Sequence, residues 1–306
     1  MAPRLPLELQ LRIIELAVPP LTRKRLPEIR SLMRSLPFVS RSWRSMAYAK
    51  IPVVPKLVLK WSTSDRVSID AFARVVAGAG RAVERCELDL RICWCPIESL
   101  CQLEGCLQSV RELWIDLLRR DTAQLTDLAS LRRLNVQNLA QDYLDLCGDA
   151  ARRRLTHLAL REAWLPRFDG AYLNVDTLLL DQCSSELDQR GLLSFFPSLR
   201  VLALHNSPDL AEEILCGDSP CPPTLQHLLL SFVRGNLPLG YAAPLGLSAS
   251  LKSVTLRHPV PSSSGRGTFV DRLPRACGIT TVIKVITSDK DDSGFDVEAW
   301  ALSFGS

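Results

Sequence analysis

The sequence predicts an α/β solenoid, a row of parallel strands each returned by a helix or loop, behind a small helical module at the N-terminus. Three observations carry that expectation. An apolar pattern at positions 1, 4 and 6 recurs nine times between residues 54 and 256. The segments between recurrences show helical spacing. The first 50 residues lie outside this series and read instead as helices broken by prolines.

The recurrences begin at Val54-Leu57-Leu59, Val83-Cys86-Leu88, Val110-Leu113-Ile115 and Leu131-Leu134-Val136. They continue with Leu155-Leu158-Leu160, Val175-Leu178-Leu180, Leu199-Leu202-Leu204, Leu225-Leu228-Leu230 and Leu251-Val254-Leu256. Start-to-start intervals are 29, 27, 21, 24, 20, 24, 26 and 26 residues. Positions 4 and 6 are two apart and share one face of a strand. A single such strand cannot bury its apolar face alone, whereas stacked units bury a continuous ladder. Return segments follow: Ile69, Phe72 and Val75 within 64–80, then Ile97, Leu100, Leu103 and Leu107, then Leu125 and Leu128, all at helical spacing. Shorter returns are expected at 187–195 and 210–215. After residue 260 the register decays through a Ser/Gly-rich stretch, Ile279 to Ile286 reads as a last strand, and residues 287–306 are expected to be a polar cap or tail.

A strand–helix unit of 20–29 residues resembles the leucine-rich repeat. Residues 54–286 are similar to the irregular repeats of substrate-receptor proteins, since Asn206 follows one strand where most units lack the usual Asn. The resemblance implies a horseshoe with a strand-lined inner face.

In the N-terminal 50 residues, Pro6 suits a first helical position and Leu9, Ile13 and Leu16 share one face. Pro19 and Pro20 end that helix. Residues 29–49 place Leu32, Leu36, Val39, Trp43 and Met46 at helical spacing, with a break at Pro37. This arrangement resembles the F-box-like module, through Leu5, Pro6, Glu8, Leu9, Ile13 and Leu16, and then Val39, Ser40, Arg41, Ser42, Trp43 and Arg44. Ser40 stands where the family often has Cys. An F-box-like module ahead of leucine-rich repeats resembles a substrate receptor of cullin–RING (SCF-type) ubiquitin ligases. The resemblance implies that Leu5, Pro6, Leu9, Ile13, Val39 and Trp43 dock on the adaptor subunit, with the cullin behind it, and that the repeats hold an unidentified protein substrate. The alternative is a repeat scaffold with no ligase role, its head only a cap on the solenoid.

Composition narrows the function classes. Residues 1–50 hold ten Lys/Arg against three Glu, so the net +4 of the whole divides into +7 and −3. The basic head lacks the interleaved aromatics of a base-stacking surface, so nucleic acid is not expected as a partner. No apolar run reaches the ~18–20 residues of a membrane span. The ten cysteines form no CxxC pair, and free buried thiols in a reducing compartment, cytoplasmic or nuclear, are expected. No phosphate-binding loop, HExxH or GxSxG occurs. Neither a catalytic group, a cofactor nor a metal site is therefore expected, and nothing argues for a homo-oligomer.

Positions 3, 5 and 7 of each unit should point away from the core. They gather Glu87, Asp89, Glu112 and Asp116 around Trp114, and place Leu179, Ala203 and Leu229 in an apolar stripe. Glu87, Asp89, Glu112, Trp114, Asp116, Leu179 and Leu229 are the expected substrate-binding residues, with Trp114 exposed as an anchor. A C-terminal segment folded back over the stripe is the alternative. His157 and His227, at equivalent strand positions, are expected to be exposed.

Overall fold

A computed structural model of the chain describes residues 5–19, 25–50, 56–60, 85–92, 110–116, 128, 130–138, 152–165, 168, 170–184, 191–211, 221–232, 250–259, 281–288 and 295–304. The helices expected at 64–80 and 97–107, the cysteine group at 93–106 and Leu125 lie outside the described residues.

Ten strands form one parallel sheet in strict sequence order. They are β1 (Lys56–Lys60), β2 (Arg85–Ile92), β3 (Glu112–Asp116), β4 (Arg133–Gln137) and β5 (His157–Arg161). The series ends with β6 (Thr177–Asp181), β7 (Val201–His205), β8 (His227–Ser231), β9 (Ser253–Pro259) and β10 (Val282–Ser288). Consecutive order with every neighbour parallel is a solenoid-like stack, in which each unit touches only the units beside it. The register carries the pattern directly: Leu134, Leu158, Leu178, Leu202, Leu228 and Val254 are successive Cα partners across β4 to β9.

Two sides of the sheet are distinct. Positions 1, 4 and 6 make the main core, with Leu155, Leu158, Leu160, Leu178, Leu180, Leu202, Leu204, Leu228 and Leu230 all solvent-free. Phe168, Tyr172 and Phe196 fill the space behind β5 to β7, with ring centroids 5.4–5.7 Å apart in edge-on and stacked pairs. Of the return expected at 187–195, the described part is a 3₁₀ turn over Leu192–Phe195. The one at 210–215 is described only as a single helical turn over residues 208–211.

Four successive units, those of β4 to β7, leave their strands through the same corner. Asn138, Glu162, Gln182 and Asn206 follow β4, β5, β6 and β7 with φ of 58°, 48°, 53° and 48°. This left-handed turn aims the residue's N–H at the end of the next strand: Asn138, Glu162, Gln182 and Asn206 donate to Arg161, Asp181, His205 and Ser231 carbonyls at 2.8–2.9 Å. Asn tolerates that backbone, whereas Glu and Gln carry a cost of roughly 1–2 kcal/mol that the inter-unit bond offsets. Ser207 supports the same corner, accepting from the Cys183 N–H at 2.9 Å.

Before the solenoid stand α1 (Leu7–Ala17), α2 (Leu26–Ser35), a 3₁₀ turn at Leu36–Phe38 and α3 (Arg41–Lys50). Pro6 takes the N-cap of α1, and Pro27 lies in the first turn of α2, where its missing N–H costs nothing. The break expected at Pro37 is the 3₁₀ turn, with Pro37 buried. Ser40 Oγ accepts from the Trp43 N–H at 3.1 Å, capping α3.

Last comes α4 (Val297–Leu302), capped by Asp296 Oδ1 accepting from the Ala299 N–H at 3.0 Å. Rather than lying as a polar cap over the final strand, it packs on the inner face of β6 and β7 and buries Val297, Glu298 and Ala301. No described helix is long and apolar enough to cross a membrane.

Candidate functional site

Two surfaces emerge from the residues singled out in the sequence. One is on the head. Leu5, Leu9, Ile13 and Val39 are exposed, as are Leu7, Leu16 and Phe38, with fractional exposures between 44% and 77%. Pro6 is exposed beside them and Trp43 is half-buried. Helix α1 buries only Ile14, and its contacts run to α3, so its outer apolar face is uncovered among the described residues. Leaving so many apolar side chains in water on a three-helix module marks an interaction surface.

The other surface is the inner face of the sheet. Its residues point away from the main core, as the alternation of a strand requires. Glu112, Arg133, His157 and Thr177 form one ladder, and Trp114, Asn135, Ala159, Leu179, Ala203 and Leu229 the next. The expectation that this face is open needs correction, because residues of α2 and α3 and of the segment 295–304 pack on it.

Trp114 is 1% exposed, clustered with Ile29 and Ala47 of the head, with Val18, Leu32 and Leu36 packed alongside. The pattern placed Trp114 outside the main core correctly, but α2 and α3 supply a second core there. Glu112 is also buried, and its Oε1 accepts from Arg133 Nη1 at 3.1 Å. That pairing neutralises one of the acidic charges expected to bind a substrate. Glu87 and Asp89 lie on β2, in register with Trp114 and Asp116 on β3, and the side chains of Glu87, Asp89 and Asp116 lie outside the described residues.

The apolar stripe is covered as well. Leu179 and Leu229, with Ala159 and Ala203, form a cluster completed by Val297, against which Phe295 and Trp300 pack. The fold-back alternative is the one the structure adopts. Glu298, 1% exposed, lies between two arginines: its Oε2 accepts from Arg161 Nη2 at 3.0 Å, and its Oε1 sits 3.9 Å from Arg133 Nη2. Farther along, Phe304 stacks on the His227 ring at 4.0 Å and Arg257 lies over the Phe295 ring at 4.9 Å. Head and tail approach each other where Arg25 Nε stands 4.0 Å from Asp296 Oδ2.

The electrostatics follow from this covering. His157, expected at the surface, is buried; burial first, then the Arg133 and Arg161 charges, hold its pKa well below the usual value. It is therefore a neutral imidazole at physiological pH. Asp181 lies 3.4 Å from Arg161, yet burial outweighs that attraction and raises its pKa to about 6. Several inner-face atoms find no hydrogen-bond partner among the described residues: Trp114 Nε1, both amide atoms of Asn135 and both ring nitrogens of His157. Cys183 and Cys221 are buried free thiols, their pKa values pushed up by burial to about 12 and 11. Neither supplies a thiolate near neutral pH.

Sequence reasoning missed Arg133, Arg161 and Glu298 as a unit. The signal was the tail pattern Phe295, Asp296, Val297, Glu298, with one apolar residue on each side of an acid, and two arginines on adjacent strands. No protein-family model, no curated protein and no solved structure matches this chain.

Proposed function

We propose that the protein is a substrate-recognition adaptor of an SCF-type cullin–RING ubiquitin ligase, its F-box-like head docking on the adaptor subunit and its leucine-rich-repeat solenoid holding the target. One observation carries this reading. Of the six residues that the F-box resemblance assigns to docking, Leu5, Pro6, Leu9, Ile13 and Val39 are exposed and Trp43 is half-buried, while Ile29, Leu32, Leu36 and Ala47 cluster with Trp114. A head that served only as a cap would bury its apolar residues on the solenoid. This one has a second apolar face that no described part of the solenoid covers. The solenoid stack of parallel strands supports the repeat assignment.

The scaffold reading draws on the head's other side, since the cluster around Trp114 does make it a cover for the inner face. Affinity purification of the full chain from its native cell separates the two: adaptor and cullin co-purify with a receptor and are missing with a scaffold. The double variant Leu5→Ala, Pro6→Ala and, separately, Leu9→Asp should abolish adaptor recovery with circular dichroism and melting unchanged. Adaptor recovery equal to wild type in both variants refutes the assignment.

A further inference from the structure

We propose that the inner face of β4 to β8 is a receptor site for an acidic segment with apolar flanks, and that residues 295–304 are its resident intramolecular ligand, displaced when a partner presents a better-matched segment. This deepens the reading of the solenoid as the target-holding part and rests on it.

The tail engages this face as a docked peptide would. An apolar side chain, Val297, enters the stripe of Ala159, Leu179, Ala203 and Leu229, and the adjacent Glu298 carboxylate lies between Arg133 and Arg161. Aromatic contacts flank this pair, with Phe295 under Arg257 on one side and Phe304 on His227 on the other. Apolar anchor, central carboxylate and aromatic flanks amount to a recognition pattern of side chains, read by strands that belong to the solenoid. The two arginines set the charge of the occupant: each already faces an acid of a neighbouring strand, Glu112 or Asp181, and a carboxylate between them adds the charge-assisted contact that Glu298 makes.

The fit is also incomplete, which is the reason to call the tail displaceable. Glu298 lies 3.0 Å from Arg161 and stands farther, 3.9 Å, from Arg133. Next to it, His157 and Asn135 present ring and amide atoms that nothing in the described residues satisfies. A partner segment carrying the same acid plus a polar side chain over β4 gains what the tail leaves unused. The tail is short, a helix of six residues, and the inner face supplies its burial.

The test uses the full chain and a labelled peptide of residues 293–306. Val297→Asp in the chain places a charge in the apolar stripe and should expel the resident segment. The peptide should then bind the variant at least about ten-fold more tightly than wild type, because a competing tail lowers apparent affinity by the fraction of open sites. Glu298→Gln in the peptide should weaken that binding by at least about ten-fold. Equal binding to wild type and variant, or a Gln peptide that binds as well as the native one, overturns the proposal. Should Val297→Asp prevent folding, a chain with a protease site inserted within 289–294 is cleaved after folding. Exchange of its tail for labelled peptide supports the proposal. Retention without exchange, or unfolding of the solenoid as the tail departs, overturns it. Adaptor capture is scored on the same samples. It depends on Leu5 and Leu9, so failure of peptide exchange with adaptor capture intact refutes the tail proposal alone.

Discussion

Trp114→Ala should destabilise the junction between head and solenoid by about 2–4 kcal/mol. A buried Trp removes roughly 150–250 Å² from water, and at about 25 cal/mol per Å² that contributes about 4–6 kcal/mol. Against this stands the indole Nε1, buried without a hydrogen-bond partner, at a cost of roughly 1–3 kcal/mol that the substitution relieves. The difference falls at the lower end of the roughly 3–5 kcal/mol typical of Trp truncation. The effect should also be local. Trp114 clusters with Ile29 and Ala47, and β5 to β8 keep their own core behind the sheet. Because solenoid units depend on nearest neighbours, hydrogen exchange should rise in α2, α3 and β3 while β6 and β7 stay protected. Urea melts followed by amide exchange on wild type and variant read both quantities. A loss below ~1 kcal/mol accompanied by weakened target capture would refute the reasoning and restore Trp114 as a surface anchor.

Three further outcomes are expected. Leu180→Ala, in the solvent-free ladder, should cost about 2–5 kcal/mol in a urea melt, and a cost near zero would refute the stack. Glu298→Ala removes one of the two acids beside each of the half-buried Arg133 and Arg161, which keep Glu112 and Asp181, so it should destabilise by roughly 1–3 kcal/mol, while Glu298→Gln, which keeps a hydrogen-bond acceptor, should cost less. His157 has a folded pKa below its unfolded value near 6.5, so it lends stability that is full above pH 6.5 and lost as pH falls toward the folded pKa, at up to about 1.4 kcal/mol per pH unit. Asp181, raised to about 6, acts oppositely: protonation favours the fold, so its contribution falls as pH rises from about 4 to 6. His157→Leu should remove the loss between pH 6.5 and 5.5 without loss at pH 8, and an unchanged slope in melts at these pH values would count against a buried neutral imidazole.

How much was legible depends on the range of the interaction. The break at Pro37, the start of α1 after Pro6 and the strands at each 1-4-6 recurrence are local, set by side-chain period and by backbone chemistry within a few residues. The two-sidedness of the sheet was legible for the same reason. What covers the second side was not. Trp114 and Val297 lie 183 positions apart in the chain, and no periodicity links them to one face of one sheet.

By itself, then, the sequence determined the repeat, its parallel order and the separation of core positions from inner-face positions, because each follows from apolar residues recurring at strand spacing. Only the tertiary structure decided the fate of the inner face. There the head buries Trp114, the tail buries Leu179 and Leu229, and Glu298 is held between Arg133 and Arg161. The physical reason is that an apolar stripe and a pair of arginines are equally compatible with a partner from outside or a segment of the same chain. Which one is present depends on where the two ends of the chain are delivered, and that is a property of the assembled stack.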